Sequence, residues 1–475
     1  MNMDRYKILV GGEVVESIDR YTSSFDFDKP IAKYAAKVML IHVANLVKKG
    51  VLEKSAAEPI IRELLEVVES DGEKLYQWTK EKKRMFEDVF EALELYLYDV
   101  VGPSAGYIAT GRSRNDHVAA ALRLYLRESV LSMLRKLIQL RRILLEKAVE
   151  YKDTVFPFYT HTQLAQCGSA SLYFLTYEQS LADIFKVFEI ALSLLNQNPL
   201  GSGASAGAML PVDLDIVSRG LCLSVDPLPP YYSTGSRLFL LYLLSILSLL
   251  MAEIGRLVED FMLFANAFPQ GLEIPRHHIS TSSIMPHKRN LVTLEIARAK
   301  VSRVLGLFAG SIAIYKSLPY GYNLDFQELN SMTFEILKDV DETLDVVKDF
   351  IAGLKLSSEG IKKYLEGKPC WSSDLIEYIA ISSKKPVREL YAELARALQH
   401  YFSGDSEPLK NFLARYGLSE ENLSSIHKLR PFEKILDDVI DRSLSRLSSD
   451  EGRVEQLFKV LSSCNEMLIK DIKQL

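Results

Sequence analysis

Residues 115–151, NDHVAAALRLYLRESVLSMLRKLIQLRRILLEKAVEY, contain no glycine and no proline. Leu122, Leu126, Val130, Leu134, Leu137 and Leu140 recur within them at intervals of three and four, the period of one helix face. The stretch predicts a single helix far longer than the globular mean of about 11–12 residues. Residues 169–196, 237–267, 291–317 and 330–354 read the same way. Several such helices in succession imply a long bundle. Apolar residues cover much of each circumference, so more than one face should be buried. Helices pairing across subunits of an oligomer are the simple consequence.

Working outward, residues 30–49, 55–70 and 77–99 also read as helices, the first opened by Pro30 and stopped by Gly50. Residues 5–20 alternate and carry Gly11-Gly12, which predicts a short irregular or hairpin arm. The run Gly102-Pro103-Ser104-Ala105-Gly106 marks a boundary, and beyond residue 357 the helices shorten and their connections turn polar. The expected architecture is mainly α, in three units: 1–108, a central long-helix unit 109–356, and a small helical unit 357–475.

The 475 residues are 48% hydrophobic and 25% charged, with a net charge of −5. That balance gives no sign of nucleic-acid binding. Cys167, Cys222, Cys370 and Cys464 lie far apart with no CxxC pair. Neither a structural zinc site nor a disulfide framework is expected from such spacing, and a reducing cytosol fits. The first residues, MNMDRYKILVGGEVVES, carry charges and no apolar core, so no signal peptide is expected. The apolar run 238–252 includes Ser245 and Ser248 and ends at Glu253. It falls short of the ~20 residues a bilayer span needs, so it is expected to be a core helix, with no membrane partner.

Polar clusters interrupt the helical background. Ser282-Ser283-Ile284-Met285-Pro286-His287-Lys288-Arg289-Asn290 must be a loop, because Pro286 cannot continue a helix. The helical pattern resumes at Leu291, so the loop ends at a helix start that favours anions, and Lys288 adds a full charge there. Thr110-Gly111-Arg112-Ser113-Arg114-Asn115-Asp116 brings two arginines to the start of the longest helix, more than a cap requires. Arginine forks there suit carboxylates. Tyr159-Thr160-His161-Thr162-Gln163 places a histidine among hydroxyl and amide groups. Glu295 is either an acid near a helix start or an orienting carboxylate for a histidine. Ser23-Ser24-Phe25-Asp26-Phe27-Asp28 reads alone as a helix cap, and Tyr322-Asn323-Leu324-Asp325-Phe326-Gln327-Glu328 as a polar turn. Gly201-Ser202-Gly203 follows Pro199 and a helix, not a strand, and lacks the GxGxxG spacing of a dinucleotide site.

Taken together these segments resemble the aspartase/fumarase superfamily and, within it, the argininosuccinate lyase family. SSIMPxKxN carries the superfamily likeness; TGRSRND and YTHxQxAQ carry the branch. Pro199 to Ala204, Ser373-Asp374-Leu375 and Pro386-Val387-Arg388 agree, so the likeness runs from about Tyr21 to Arg388. It implies a three-domain, mainly α-helical protomer and a homotetramer with a twenty-helix bundle and active sites shared between subunits. The implied reaction is reversible β-elimination of argininosuccinate to arginine and fumarate, the last step of arginine biosynthesis, in the cytoplasm, without metal or organic cofactor. The implied catalytic set is Ser282 as base, His161 oriented by Glu295 for the other proton, and Lys288 for the developing charge; the two proton-transfer roles are exchangeable. The implied substrate contacts are Ser24, Ser113, Arg114, Asn115, Thr160, Gln163, Asn290, Tyr322 and Gln327.

The chain departs from the pattern at Thr281 for glycine, His287 for glutamine, Leu291 and Cys167 for proline, Phe90 and Ala109 for histidine, and Asn330 for a substrate-binding lysine. The alternatives are another fumarate-releasing lyase of the superfamily, or a non-catalytic crystallin-like protein on the same scaffold. TGRSRND and the intact proton-transfer residues argue against them.

Overall fold

A computed structural model of the chain describes residues 15–82 and 84–473. The 115–151 stretch is one helix, α4 (Arg114–Glu150). Before it come α1 (Ala32–Lys48), α2 (Lys54–Glu69) and α3 (Val89–Val101); after it come α5 (Ala170–Leu195), α6 (Leu238–Ala267), α7 (Val292–Tyr315), α8 (Phe326–Gly353) and the terminal α9 (Leu436–Lys473). Helix α4 packs on α5, α8 and α9, while α6 and α7 complete the bundle beside α5 and α8. One apolar core runs through all of these, from Ile31 to Ile472.

Helix α6 is apolar and long enough to cross a membrane by composition alone, yet 67% of its most apolar window is buried inside the fold. Leu240, Leu243, Leu244, Leu247, Leu250 and Met251 are all fully buried there. The core-helix expectation therefore holds.

A second, smaller core gathers Leu375, Ile379, Leu390, Leu394, Phe412 and Ile426. Helix α9 leaves that cluster and returns to the central bundle. Arg141 of α4 bonds Glu178 of α5 at 2.9 Å and Asp450 of α9 at 2.8 Å, all three buried.

Three local expectations change. The stretch 77–99 is not one helix: a helix over Glu73–Lys80 ends, and α3 starts afresh at Asp88, whose carboxylate accepts from Glu91 N at 2.7 Å. That carboxylate satisfies a free N–H and makes the break stable. In the expected arm, Glu16–Thr22 is helical, and its earlier part lies outside the described residues. Around His161 the chain is a β-hairpin, β1 (Val155–Thr160) against β2 (Gln163–Ser169).

The cysteine expectation is corrected outright. Cys167 on β2 pairs with Cys370, and Cys222 pairs with Cys464 on α9, across sequence separations of 203 and 242. Wide spacing in sequence carried no information about spacing in the fold, because the last third of the chain packs back onto the centre. The pairing removes the argument for a reducing compartment. It also accounts for Cys167 in place of proline: the first bridge ties the His161 hairpin to the smaller core.

Closing such long loops restricts the unfolded chain, with typical gains of about 2–5 kcal/mol per bridge. The denatured, unreduced protein should therefore titrate no free thiols, and the reduced protein four. The double variant Cys222→Ala/Cys464→Ala should lose stability by a few kcal/mol in denaturant unfolding, ~2–5. Unchanged unfolding together with free thiols would remove the bridges.

Candidate active site

The TGRSRND segment is positioned by the start of α4. Ser113 is its N-cap, with Asn115 N donating to its Oγ at 3.3 Å and Asp116 completing a capping box. Its hydroxyl thus serves the helix in this structure. Asp116 does more: its Oδ2 accepts Gly201 N at 3.2 Å and Gly203 N at 3.0 Å. Asn115 Nδ2 donates to Ala204 O at 3.2 Å. The glycine loop therefore wraps a carboxylate of its own chain. Gly203 must be glycine, since its φ is +58° and a Cβ would meet Gly207 O at 2.9 Å. Burial raises the Asp116 pKa to about 6, against the pull of these N–H donors.

Arg114 reaches back to the first unit. Its guanidinium lies 2.8 Å from Asp88 and 2.9 Å from Glu87. Burial opposes its charge, but Asp88 and then Glu87 hold it protonated. Ser24, fully buried, donates to Asp28 Oδ2 at 2.7 Å. Asp28 sits beside Asp88, and burial first, eased by the Ser24 hydrogen bond, leaves its pKa raised to about 7. Tyr322 lies within the field of this group; burial raises its pKa to about 12, and its charged neighbours are Arg237, Asp88, Arg114 and Asp28. One chain thus brings together Ser24, Arg114 and Tyr322, with Asn115 at the next residue. Gln327 and Asn330 follow on the first turns of α8, both buried, with Asn330 Oδ1 unpartnered.

Asp88 and Arg237 belong to this group although sequence reasoning passed them over. Arg237 is fully buried at the head of α6, its guanidinium 4.3 Å from the Phe326 ring centroid. A cation directly before the most apolar helix of the chain was the available signal. Phe90, in place of histidine, is simply core.

His161 stands at the tip of the β1–β2 hairpin. Thr160 pairs with Gln163, leaving a two-residue turn in which His161 has φ 52° and Thr162 φ 58°. Such turns prefer Asn-Gly, and a β-branched residue at positive φ is strained. Strain of this kind is kept where a side chain must be presented. Thr160, His161 and Gln163 are all exposed, and among the described residues no protein group bonds the imidazole.

The loop of residues 282–288 is a hairpin closed at its base: Ser280 pairs with Asn290 and Thr281 with Arg289. Ser282 Oγ accepts from Met285 N at 3.2 Å and Ile284 N at 3.4 Å. Lys288 and Glu295 are exposed and without an ion-pair partner among the described residues. Glu295 does not meet His161 within the chain. The structure therefore groups Ser24, Arg114 and Tyr322, with Asn115 next in the chain to Arg114, and leaves two separate projections, one bearing His161 and one bearing Ser282, Lys288 and Asn290.

The fold is that of lyases of the fumarase/aspartase kind. A family model described as lyase matches residues 11–306. The solved structure of an EDDS lyase variant with bound fumarate superposes with a TM-score of 0.80 at 20% identity, over 99% of this chain and 98% of that one. Argininosuccinate lyase of Pyrococcus furiosus is 30% identical over 95% of this chain and 97% of its own length. That of Pyrobaculum aerophilum is 37% identical over 84% of this chain and 90% of its own. The chain belongs to the argininosuccinate lyase family. It is a carbon–nitrogen lyase acting on a small molecule.

The Asp28 carboxyl gives a pH test. Its pKa is higher in the folded chain than the usual 3.8. Its contribution to stability is therefore present at low pH and is lost as pH rises toward 7. Asp28→Asn should flatten the fall in unfolding free energy between pH 5 and 8, by an amount on the order of 2–4 kcal/mol. Parallel pH profiles for the two proteins would remove the assignment.

Proposed function

We propose that the chain catalyses reversible β-elimination of argininosuccinate to arginine and fumarate, the last step of arginine biosynthesis, as a cytoplasmic homotetramer. The observation that carries this reading is a division within one chain. Ser24 bonds Asp28, Arg114 bonds Asp88, and Tyr322 lies in the field of Arg114 and both acids, whereas the side chains of His161, Lys288 and Glu295 project without protein partners among the described residues. Such projections make sense if each completes a site on another subunit. We take 1–108, 109–356 and 357–475 as the units of the protomer and the long helices as its contribution to a twenty-helix bundle.

In this reading Ser113, Arg114 and Asn115 hold the carboxylates of the succinate part, with Thr160, Gln163 and Asn290 added from the projections. Tyr322 and Gln327 hold the arginine part. Ser24, bonded to Asp28 beside Asp88 and Arg114, supports the same group. A proton leaves the carbon next to a carboxylate and goes to Ser282. The electron pair forms the doubly negative aci-carboxylate, then expels the guanidine nitrogen as the carbon–carbon double bond of fumarate forms. His161, oriented by Glu295 of another subunit, protonates that nitrogen.

A free serine hydroxyl is a weak base. Two backbone N–H groups already point at Ser282 Oγ, and donors of this kind favour the alkoxide. Lys288, with the free N–H groups at the start of α7, opposes the charge of the intermediate. Such preorganised donors contribute about 3 kcal/mol each. No step in this scheme calls on a metal or organic cofactor.

A coupled assay for fumarate release from argininosuccinate tests the reaction. Turnover of adenylosuccinate or malate instead, with none of argininosuccinate, would overturn it. Ser282→Ala should keep its size by light scattering while kcat falls by roughly 10²–10⁴. Near-normal kcat would take Ser282 out of its role, and a fully active monomer would refute the shared site.

A further inference from the structure

The catalytic loop is preceded by a pair of histidines that the reaction does not use. His277 and His278 are consecutive in a 3-10 turn, Arg276–His278. Their rings lie 4.5 Å apart, centroid to centroid. Both direct Nε2 at one atom, Asp349 Oδ2, from 2.5 Å and 3.0 Å. Asp349 is on the last turns of α8. The two ring nitrogens and the carboxylate oxygen all fall within 4.8 Å of one another.

The surroundings of His278 fix its ring. It is buried, its Nδ1 lies 2.7 Å from Thr293 Oγ1 in the first turn of α7, and the Phe350 ring stands edge-on to it at 5.3 Å. A second ring nitrogen engaged by a hydroxyl is the arrangement that orients a metal-bound imidazole. His277 and Asp349 are 66% and 59% exposed, which leaves an open approach and room for a water ligand. Two imidazoles and a carboxylate, with a fourth position open, suit a first-row transition ion. Mg²⁺ and Ca²⁺ prefer oxygen ligands throughout.

We propose that His277, His278 and Asp349 bind one divalent transition-metal ion, of the Zn²⁺ or Co²⁺ type, as a clamp at the base of the catalytic loop. The placement gives the clamp its effect. His278 lies two residues before the strand that opens the loop, and Thr293 three residues after Asn290, which closes it. An ion on the three ligands joins both ends of the loop to the end of α8. It takes no part in proton transfer and stands apart from the Ser24–Arg114–Tyr322 group. Without an ion, the same three side chains form a hydrogen-bonded cluster in which one oxygen accepts two imidazole N–H groups, and the experiment separates the two.

The full chain, stripped of metal with a chelator and dialysed, is titrated with Co²⁺ and, separately, Zn²⁺. The expected result is one Co²⁺ per chain with the visible absorption of a four-coordinate nitrogen–oxygen site, displaced by Zn²⁺, and a rise in Tm with either ion. His277→Ala and Asp349→Asn, both at exposed positions, should each weaken Co²⁺ binding by about tenfold or more and abolish the Tm rise. Absence of the Co²⁺ spectrum in the unaltered chain would overturn the proposal, as would binding that survives unchanged in both variants. These readouts involve no substrate, so they stand or fall separately from the lyase reaction.

Discussion

Everything in the bundle depends on where Arg141 can sit. Its guanidinium is fully buried and is held by Glu178 from one neighbouring helix and Asp450 from another, with Arg446 and Arg453 bonded to those two acids in turn. Removing one member of a buried ion group costs about 3–5 kcal/mol, because the remaining charge is stranded. The apolar ridges of α4, α5 and α9 would tolerate sliding along one another. The ion group does not, since a one-turn slip of ~5.4 Å would break its bonds that cross between helices, Arg141 to Glu178 and Asp450 and Arg446 to Glu178. It therefore sets the register of three long helices. Arg114 lies on the same α4, about 40 Å away at ~1.5 Å per residue, so the register fixed in the core is delivered to the binding group.

At that end the electrostatics are arranged in advance. Arg114 is already paired with Asp88 and Glu87, with the half-buried Tyr322 and the fully buried Arg237 nearby. In the proposed reading a substrate carboxylate would meet a guanidinium whose position is settled, and little side-chain freedom would be lost on binding. Burial raises the Asp28 pKa to about 7, which tempers the negative charge beside the Arg114–Asp88 pair.

Helices with a long unbroken apolar period were legible from sequence to within a few residues, as α4 and α6 illustrate. Their packing is dominated by local periodicity, which a single chain carries in full. What was not legible depends on contacts between distant segments. The break at Asp88 needed knowledge that a carboxylate there caps a new helix while also meeting Arg114. The His161 hairpin looked like a polar interruption because its turn residues, His and Thr, are the wrong ones for that turn. The disulfides were invisible for the same reason as Arg237: each partner is set by how the chain returns on itself. The polar clusters around Ser24, Arg114, His161, Ser282 and Tyr322 were visible, because their residues do not fit the apolar period around them. Their grouping was not, and only the Ser24–Arg114–Tyr322 part is formed inside one chain.

Thr281 shows how structure changes the meaning of a departure. Threonine in place of glycine would stiffen a hinge, were one at that position. In the structure Thr281 is a strand residue paired with Arg289, where a β-branched side chain is favourable and glycine is not. The hinge is therefore not at that position. Residues 282–288 stand above a two-rung ladder whose flanks meet at His278 and Thr293. Ser282 and Lys288 are the first residues beyond the ladder on its two strands; Ser282 Oγ accepts from Ile284 N and Met285 N, and Lys288 N donates to Met285 O. Closure on substrate would bring the cation to a serine that is nearly in place, and a stiff base at Thr281 helps that geometry.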